Sequence, residues 1–347
     1  MGERPTLQTV ADRLGVSRAT VSNAYNRPDQ LSPALRERVL AAARELGYAG
    51  PDPAARGLRL RRTGTVGVLL GESLTYAFTD PAAALFLEGI ARTGEKLGTS
   101  MLLIPSPVGD DATSAVRNAV VDGFCIYCVS NSRHQLSAVI ERRLPTVLIE
   151  GDPIPGAGRV DIDQRSGAQA AAEHLRQLGH ERVGILAERL QTDAFRGWVS
   201  DERLAGATEP VSRGRVLGYR EAFPDAPVFE ARGNRFEAGY QAAAEMLDAH
   251  PELTAILAET DMLAFGTQRL AAERGLRIPE DLSLVGFDDI PPAARNEPPL
   301  TTVRQPLAEK GQVAYDLLQE LFAGEAPRNV MLPVELVVRE STAPPRA

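Results

Sequence analysis

Apolar residues along this chain change their spacing once, near residue 65. Before that point they recur at helical intervals, and after it they gather into short unbroken runs between amphipathic stretches. In "TLQTVADRLG" Thr6 can cap a helix whose Val10, Ala11 and Leu14 share one face, and Gly15 can end it. A second helix begins at Ser17 and turns Val21 and Ala24 inward beside Tyr25. The third, "SPALRERVLAAARELGY", has Ser32 as its cap and Pro33 at its first position. Leu35, Val39, Leu40, Ala43 and Leu46 point inward and Gly47 closes it. Residues 1–49 therefore read as a small all-α unit with one apolar core.

"AGPDPAARGLRLRRTG" follows, rich in Pro, Gly and Arg, and residues 50–63 read as a hinge. Beyond it, "TVGVLL", "TSMLLIP", "DGFCIYCV" and "PTVLIEG" are buried-strand runs separated by helical stretches. A second series, "RVGILAE", "PVFEAR", "TAILAE" and "LSLVGFDD", repeats the pattern. Strands alternating with helices imply parallel sheets with right-handed crossovers. The expected fold class is thus a helix-turn-helix head on an α/β core of two doubly wound lobes. The core spans 64–347. The first lobe is placed at about 64–162 plus 292–322, the second at about 163–291 plus 323–341. A ligand cleft is expected at the strands' carboxyl ends. Residues 189–211, which include Trp198 as the sole tryptophan, form a long connection and a candidate lid.

Charge divides at the same boundary. Residues 1–62 hold 11 Arg and no Lys against 6 acidic residues, or +5, so the remainder of a chain of net charge −8 carries −13. Polyanion binding is assigned to the head on that ground. Cys125 and Cys128 lie in an apolar, strand-like run and read as inert core thiols, since redox C-x-x-C chemistry wants a helix N-terminus. The four His show no ligand spacing, and neither a metal nor a cofactor is expected. No run approaches a membrane span and the first residues lack a signal-peptide core, which suggests a cytoplasmic protein.

Two helices joined at Gly15 make a helix-turn-helix whose second member presents short polar side chains. At this point the chain resembles the LacI family of bacterial transcription regulators. The resemblance is carried by "TLQTVADRLGVSRATVSNAYNRPDQLSPALRERVLAAARELGY" and continues through "ARGLRLRRTGTVGVLL", "HLRQLGHERVGILAE", "RIPEDLSLVGFDD" and "PPLTTVRQP" in family order. It implies a core like that of periplasmic sugar-binding proteins, and a homodimer on a near-palindromic double-stranded operator, acting as a repressor. It also implies a small effector in the cleft. The end of the chain, "VVRESTAPPRA", carries no leucine heptad, so assembly is expected to stop at the dimer.

The resemblance places Ser17, Arg18, Ala19, Thr20, Ser22 and Asn23 on the recognition helix, with Asn26 just beyond and Thr6 and Arg56 as further DNA contacts. Asn23 stands where relatives more often have Arg, which moves the expected partner from guanine to adenine. Leu58 matches the leucine wedged into the minor groove from a hinge helix. Gly57 beside it is a poor helix former, so that helix is expected to form only on DNA.

In the cleft, "GFDD" ends a buried strand where Asp288 is placed to accept from paired hydroxyls, and the resemblance marks Arg215 as a ligand contact whose guanidinium donates a fork. Asn234 and Arg235 occupy a place where relatives often stack an aromatic ring. Asp80, Asp163, Thr260 and Asp261 are further candidates at strand ends and helix caps. A sugar or sugar derivative is the expected effector, with a purine, a nucleoside or an anionic metabolite as the alternative. Two other functions are weighed and set aside. A solute receptor has no use for the head. An enzyme would want a phosphate loop or an activated nucleophile, and "VGVLLGES" supplies neither.

Overall fold

A computed structural model describes residues 5–50, 62–105, 113–129 and 134–346. The chain divides into two compact units after Gly64. In the head, α1 (Leu7–Leu14) starts from a capping box between Thr6 and Thr9 and ends at Gly15, whose φ of 64° is left-handed. That turn is what glycine provides, because a side chain there would meet its own carbonyl. Ser17 caps α2 (Arg18–Asn26), accepting from the Thr20 amide at 3.0 Å, and Ser32 caps α3 (Pro33–Glu45). Val10, Ala11, Val21, Ala24, Val39 and Ala43 close the core. Leu40, expected inside, is half-buried and lies outside that cluster.

The core runs β1 (Thr65–Leu70), α4 (Leu74–Ala77), α5 (Pro81–Leu97), β2 (Ser100–Ile104), α6 (Ser114–Asn118), β3 (Gly123–Tyr127), α7 (His134–Arg142), β4 (Thr146–Ile149) and β5 (Gly158–Ile162). It continues with α8 (Gln164–Gln177), β6 (Val183–Ala187), β7 (Gly197–Trp198), α9 (Asp201–Ala205), α10 (Pro210–Ala222), β8 (Val228–Glu230), α11 (Phe236–Ala249) and β9 (Ala255–Ala258). Last come α12 (Asp261–Glu273), β10 (Ser283–Asp288), β11 (Thr301–Arg304), α13 (Leu307–Phe322), β12 (Asn329–Leu332) and β13 (Glu335–Val337).

Two sheets result. One is parallel throughout, in the order β12-β5-β4-β3-β1-β2. The other is β13-β11-β10-β9-β6-β8-β7, parallel except for its two edge strands. In each sheet the order reverses beside its first strand, between β1 and β3 and between β6 and β9. Such switch points leave a crevice at the strands' carboxyl ends.

The lobe boundaries differ from those expected. β11, placed in the first lobe by the sequence, is a parallel neighbour of β10 in the second sheet. β12, placed in the second lobe, pairs with β5 in the first, Val330 opposite Val160. Only α13, between them, packs on the first lobe: Gly89 of α5 and Gly311 of α13 let the two backbones touch where a β-carbon would overlap main chain. The chain therefore crosses between lobes near 163, 305 and 333. The apolar runs also fail to announce β5, β7, β11, β12 and β13, which are short or lie at or beside a sheet edge.

Residues 189–211 are not a structureless loop. Arg203 pins them, donating to Glu230 at 2.6 and 2.9 Å and to Asp193 at 3.0 and 2.9 Å, and lying 3.9 Å over the Phe195 ring. Trp198 packs edge-on against Phe229 and His250 at the sheet margin.

Candidate functional site: an acidic cavity between two lobes

Four of the carboxyl ends that meet the crevice carry an acidic residue: Glu72 after β1, Glu150 after β4, Glu188 after β6, and Asp288 closing β10. With Asp80 and Glu209 they give, among the described residues, six acidic side chains around a cavity of about 100 Å³, against two lining cations, Arg189 and Arg215. Both switch points contribute, through Gly71 and Cys128 on one side and Glu188 on the other.

Asp288 and Arg215 meet in the cavity wall. Asp288 has a φ of 121° and Asp289 one of 54°, a sharp turn that separates the two side chains. Asp289 is tied to Arg304 at 2.7 Å and Arg339 at 2.6 Å, outside the cavity. Asp288 Oδ1 accepts from Gln305 Nε2 at 2.5 Å and from Arg215 Nη1 at 3.4 Å. Arg215 also donates to the Glu259 carbonyl at 2.6 Å and stacks 3.7 Å over Phe287. Burial pushes the Asp288 carboxyl up to about 7 although Arg215 opposes it.

Asp80, Asn234 and Thr260 line the same cavity. Asp80 caps α5 through the Ala82 amide at 3.1 Å and accepts from Asn234 Nδ2 at 3.4 Å, which joins the two lobes. Thr260 Oγ1 donates to Asn234 Oδ1 at 2.7 Å. Three candidates do not reach the cavity. Asp163 is an exposed cap that accepts from the Ser166 amide and hydroxyl at 2.9 and 2.7 Å. Arg235 is exposed, its guanidinium 5.8 Å from the Tyr76 ring. Asp261 is buried behind the wall, where Ile290 N–H and Thr302 Oγ1 donate to it at 2.9 and 2.5 Å.

Other expectations need correction. An aromatic ring does stand near Asn234: Tyr76, from the opposite lobe, donates to the Asn234 carbonyl at 3.3 Å. Cys125 is a core thiol, pushed by burial to about 12, but Cys128 lines the cavity and donates to Glu150 Oε2 at 3.4 Å. Trp198 is absent from the lining; the ends of its segment supply Arg189, Glu209, Pro210 and Val211 instead.

Sequence reasoning missed Glu150, Glu188 and Lys310. A signal existed. The runs "VLIE" and "ILAE" each end on an acidic residue, as "GFDD" does, and Lys310 falls on the apolar stripe of α13 with Leu307, Ala314 and Leu318.

Glu188 permits a direct test of the cavity's electrostatics. Burial and the neighbouring acids Glu259 and Glu72 raise its carboxyl to about 8, above its ordinary 4.5, despite Arg189. An acid whose folded pKa is raised contributes stability below its unfolded pKa and loses it as pH climbs through the folded value. Glu188→Gln, which mimics the neutral form, should melt several degrees above wild type at pH 8, with the gap closing toward pH 4.5. Scanning calorimetry at both pH values would decide it; an equal offset at each would contradict the raised carboxyl.

On the head, Ser17, Arg18 and Ala19 are exposed. Thr20, Ser22, Asn23 and Asn26 are half-buried, with Asn26 Nδ2 donating back to the Ser22 carbonyl at 3.0 Å. Thr6 is an exposed cap. The Asn23 side chain donates to Gln30 Oε1 at 3.4 Å. Arg56 and Leu58 lie outside the described residues.

A helix-turn-helix head on a two-lobed core with a polar interlobe cavity defines a ligand-responsive DNA-binding protein. Residues 6–50 match the family model for bacterial regulatory proteins of the lacI family, and 172–342 that for the periplasmic binding protein-like domain. The HTH-type transcriptional regulator Rv3575c of Mycobacterium tuberculosis is 41% identical over 99% of this chain and 98% of its own length. The lac repressor dimer bound to operator and the anti-inducer ONPF superposes with a TM-score of 0.79 at 28% identity, over 98% of this chain and all of that one. A transcriptional regulator CelR–cellobiose complex gives 0.70 at 28% identity, over 97% of this chain and all of that one. The chain belongs to the LacI family. It is a DNA-binding transcriptional regulator with an effector-binding domain, not an enzyme. Among the described residues no helix is long and apolar enough to cross a membrane.

Proposed function

We propose that the protein is a cytoplasmic repressor that grips a near-palindromic operator as a homodimer and responds to a small, neutral, polyhydroxylated effector, a sugar or sugar derivative. The effector would sit between the lobes against Asp288, Arg215, Asp80, Asn234 and Thr260. The cavity's six acidic side chains to two cations carry this reading. Acidic side chains pair with hydroxyls in either protonation state, and an anion would push their ionisation to higher pH or be repelled, so the lining argues against an anionic metabolite. The cellobiose bound by the CelR relative supports a carbohydrate. A nucleoside is a second reading, favoured by Tyr76 and Tyr127 in the lining.

Thermal shift of the full chain with ribose, cellobiose, cytidine and glucose 6-phosphate separates these readings. A ligand present at a hundred times its Kd stabilises by about 2.7 kcal/mol. Stabilisation by a neutral polyol is expected. A shift with glucose 6-phosphate alone would overturn the neutral-effector reading.

For the head, we propose that Ser17, Arg18, Ala19, Thr20, Ser22 and Asn23 meet the major groove, with Thr6, Asn26 and the hinge residues Arg56 and Leu58 as further contacts. Asn23→Arg should then move base preference from adenine toward guanine at one symmetric pair of operator positions. Selection from randomised half-sites would show it; an unchanged consensus would mean that Asn23 reaches no base.

A further inference from the structure

Six buried or half-buried side chains form a closed hydrogen-bonded ring beneath the cavity. Glu150 Oε1 accepts from Lys310 Nζ at 2.5 Å and from Gln164 Nε2 at 2.6 Å. Gln164 Oε1 accepts from Arg215 Nε at 2.8 Å. Arg215 Nη1 and Gln305 Nε2 both donate to Asp288 Oδ1, and Lys310 Nζ donates to Gln305 Oε1, which closes the circuit. Each glutamine turns its oxygen to a cation and its amide to a carboxylate. Flipping either would face N–H₂ to a cation and oxygen to a carboxylate, so the orientations are determined by charge.

The ring's placement gives it meaning. Glu150 and Lys310 belong to the first lobe, Asp288 and Arg215 to the second. Gln164 and Gln305 sit where the chain crosses between them. The circuit thus passes between lobes twice, each time through a glutamine at a crossover. Four members line the cavity, but Lys310 does not and is fully buried. Two acidic side chains face two cations, so removing a charged member leaves another without its partner.

We propose that this ring locks the two lobes at their hinge, with Lys310 as a positioning residue that never touches ligand. Resting on the proposed effector site, it would work as follows. Effector groups that engage Asp288 or Arg215 open the ring at those members and free both crossovers, which converts occupancy of the cavity into a change of lobe angle.

Hydrogen exchange on the full chain without ligand tests the lock independently of what the effector is. Lys310→Met should raise exchange at least tenfold at 163–167, 287–290 and 304–308, reaching into the second lobe. Lys310→Arg, which keeps the charge, should stay near wild type. Gln305→Met, which leaves the Lys310–Glu150 pair in place, should reproduce the cross-lobe effect and serves if Lys310→Met does not fold. Faster exchange confined to α13 and β4, or a Lys310→Arg variant as perturbed as Lys310→Met, would overturn the proposal. Failure of every sugar to bind would count against the effector reading and leave this result standing.

Discussion

Removing residues 1–62 should abolish operator binding and leave a folded core that still binds its effector. The head has its own closed apolar cluster, and the chain divides into compact units at Gly64. Those 62 residues carry +5 while the rest carries −13, so the truncated protein would present an acidic surface to a polyanion. For the intact chain, arginines that displace counterions make affinity fall steeply with salt. A protein with 6–10 phosphate contacts loses about 10³–10⁵ between 50 and 200 mM. Fluorescence anisotropy against an operator selected from genomic fragments, across that salt range, measures both effects. A melting transition confirms that the truncated core is folded. Specific binding by the core alone, or a flat salt response of the full chain, would place the DNA surface elsewhere.

Arg215→Ala should weaken effector binding at least tenfold and destabilise the core by ~3–5 kcal/mol, as expected when one partner leaves a buried pair. The guanidinium serves Gln164, the Glu259 carbonyl and Asp288 at once and covers Phe287. Its loss strips a donor from Gln164 Oε1 and the Glu259 carbonyl and leaves Asp288 without its cation, held by Gln305. The cost should also depend on pH. Burial already raises the Asp288 carboxyl to about 7, and Arg215 is the strongest of the groups that hold it from rising further, ahead of Gln305 and Lys310. Above pH 7 wild type can ionise Asp288 beside Arg215, whereas the variant must either hold the proton or bury an unpaired carboxylate. The variant should therefore lose more stability relative to wild type at pH 8 than at pH 5, and Arg215→Lys should fall between. Calorimetric melts at the two pH values, with titration of the sugar identified by thermal shift, check both claims. Wild-type affinity in Arg215→Ala would remove this residue from the effector site.

What could be read without coordinates was whatever depends on neighbours in sequence. Ser17 and Ser32 cap helices because a hydroxyl reaches an amide three residues on, and Gly15 turns the chain because it lacks a β-carbon. Seven of the eight apolar runs became strands covered by neighbouring chain, where a parallel strand needs no alternation, and the eighth, β2, is an exposed edge. By the same local logic Asp163, Thr260 and Asp80 looked alike, each an oxygen at a helix start. Only tertiary structure separated them: Thr260 and Asp80 line the cavity, while Asp163 faces solvent at the start of α8. Asp261 and Arg235, one residue beyond cavity-lining Thr260 and Asn234, point elsewhere because successive side chains diverge. The strand assignment of 301–304 and 329–332 also required coordinates, since the chain crosses lobes on either side of α13 and no local signal marks a crossing. The ring was beyond reach of sequence for a related reason. Lys310 and Glu150 are 160 residues apart, and a buried charge is tolerable only beside a partner that the fold, not the neighbouring chain, delivers.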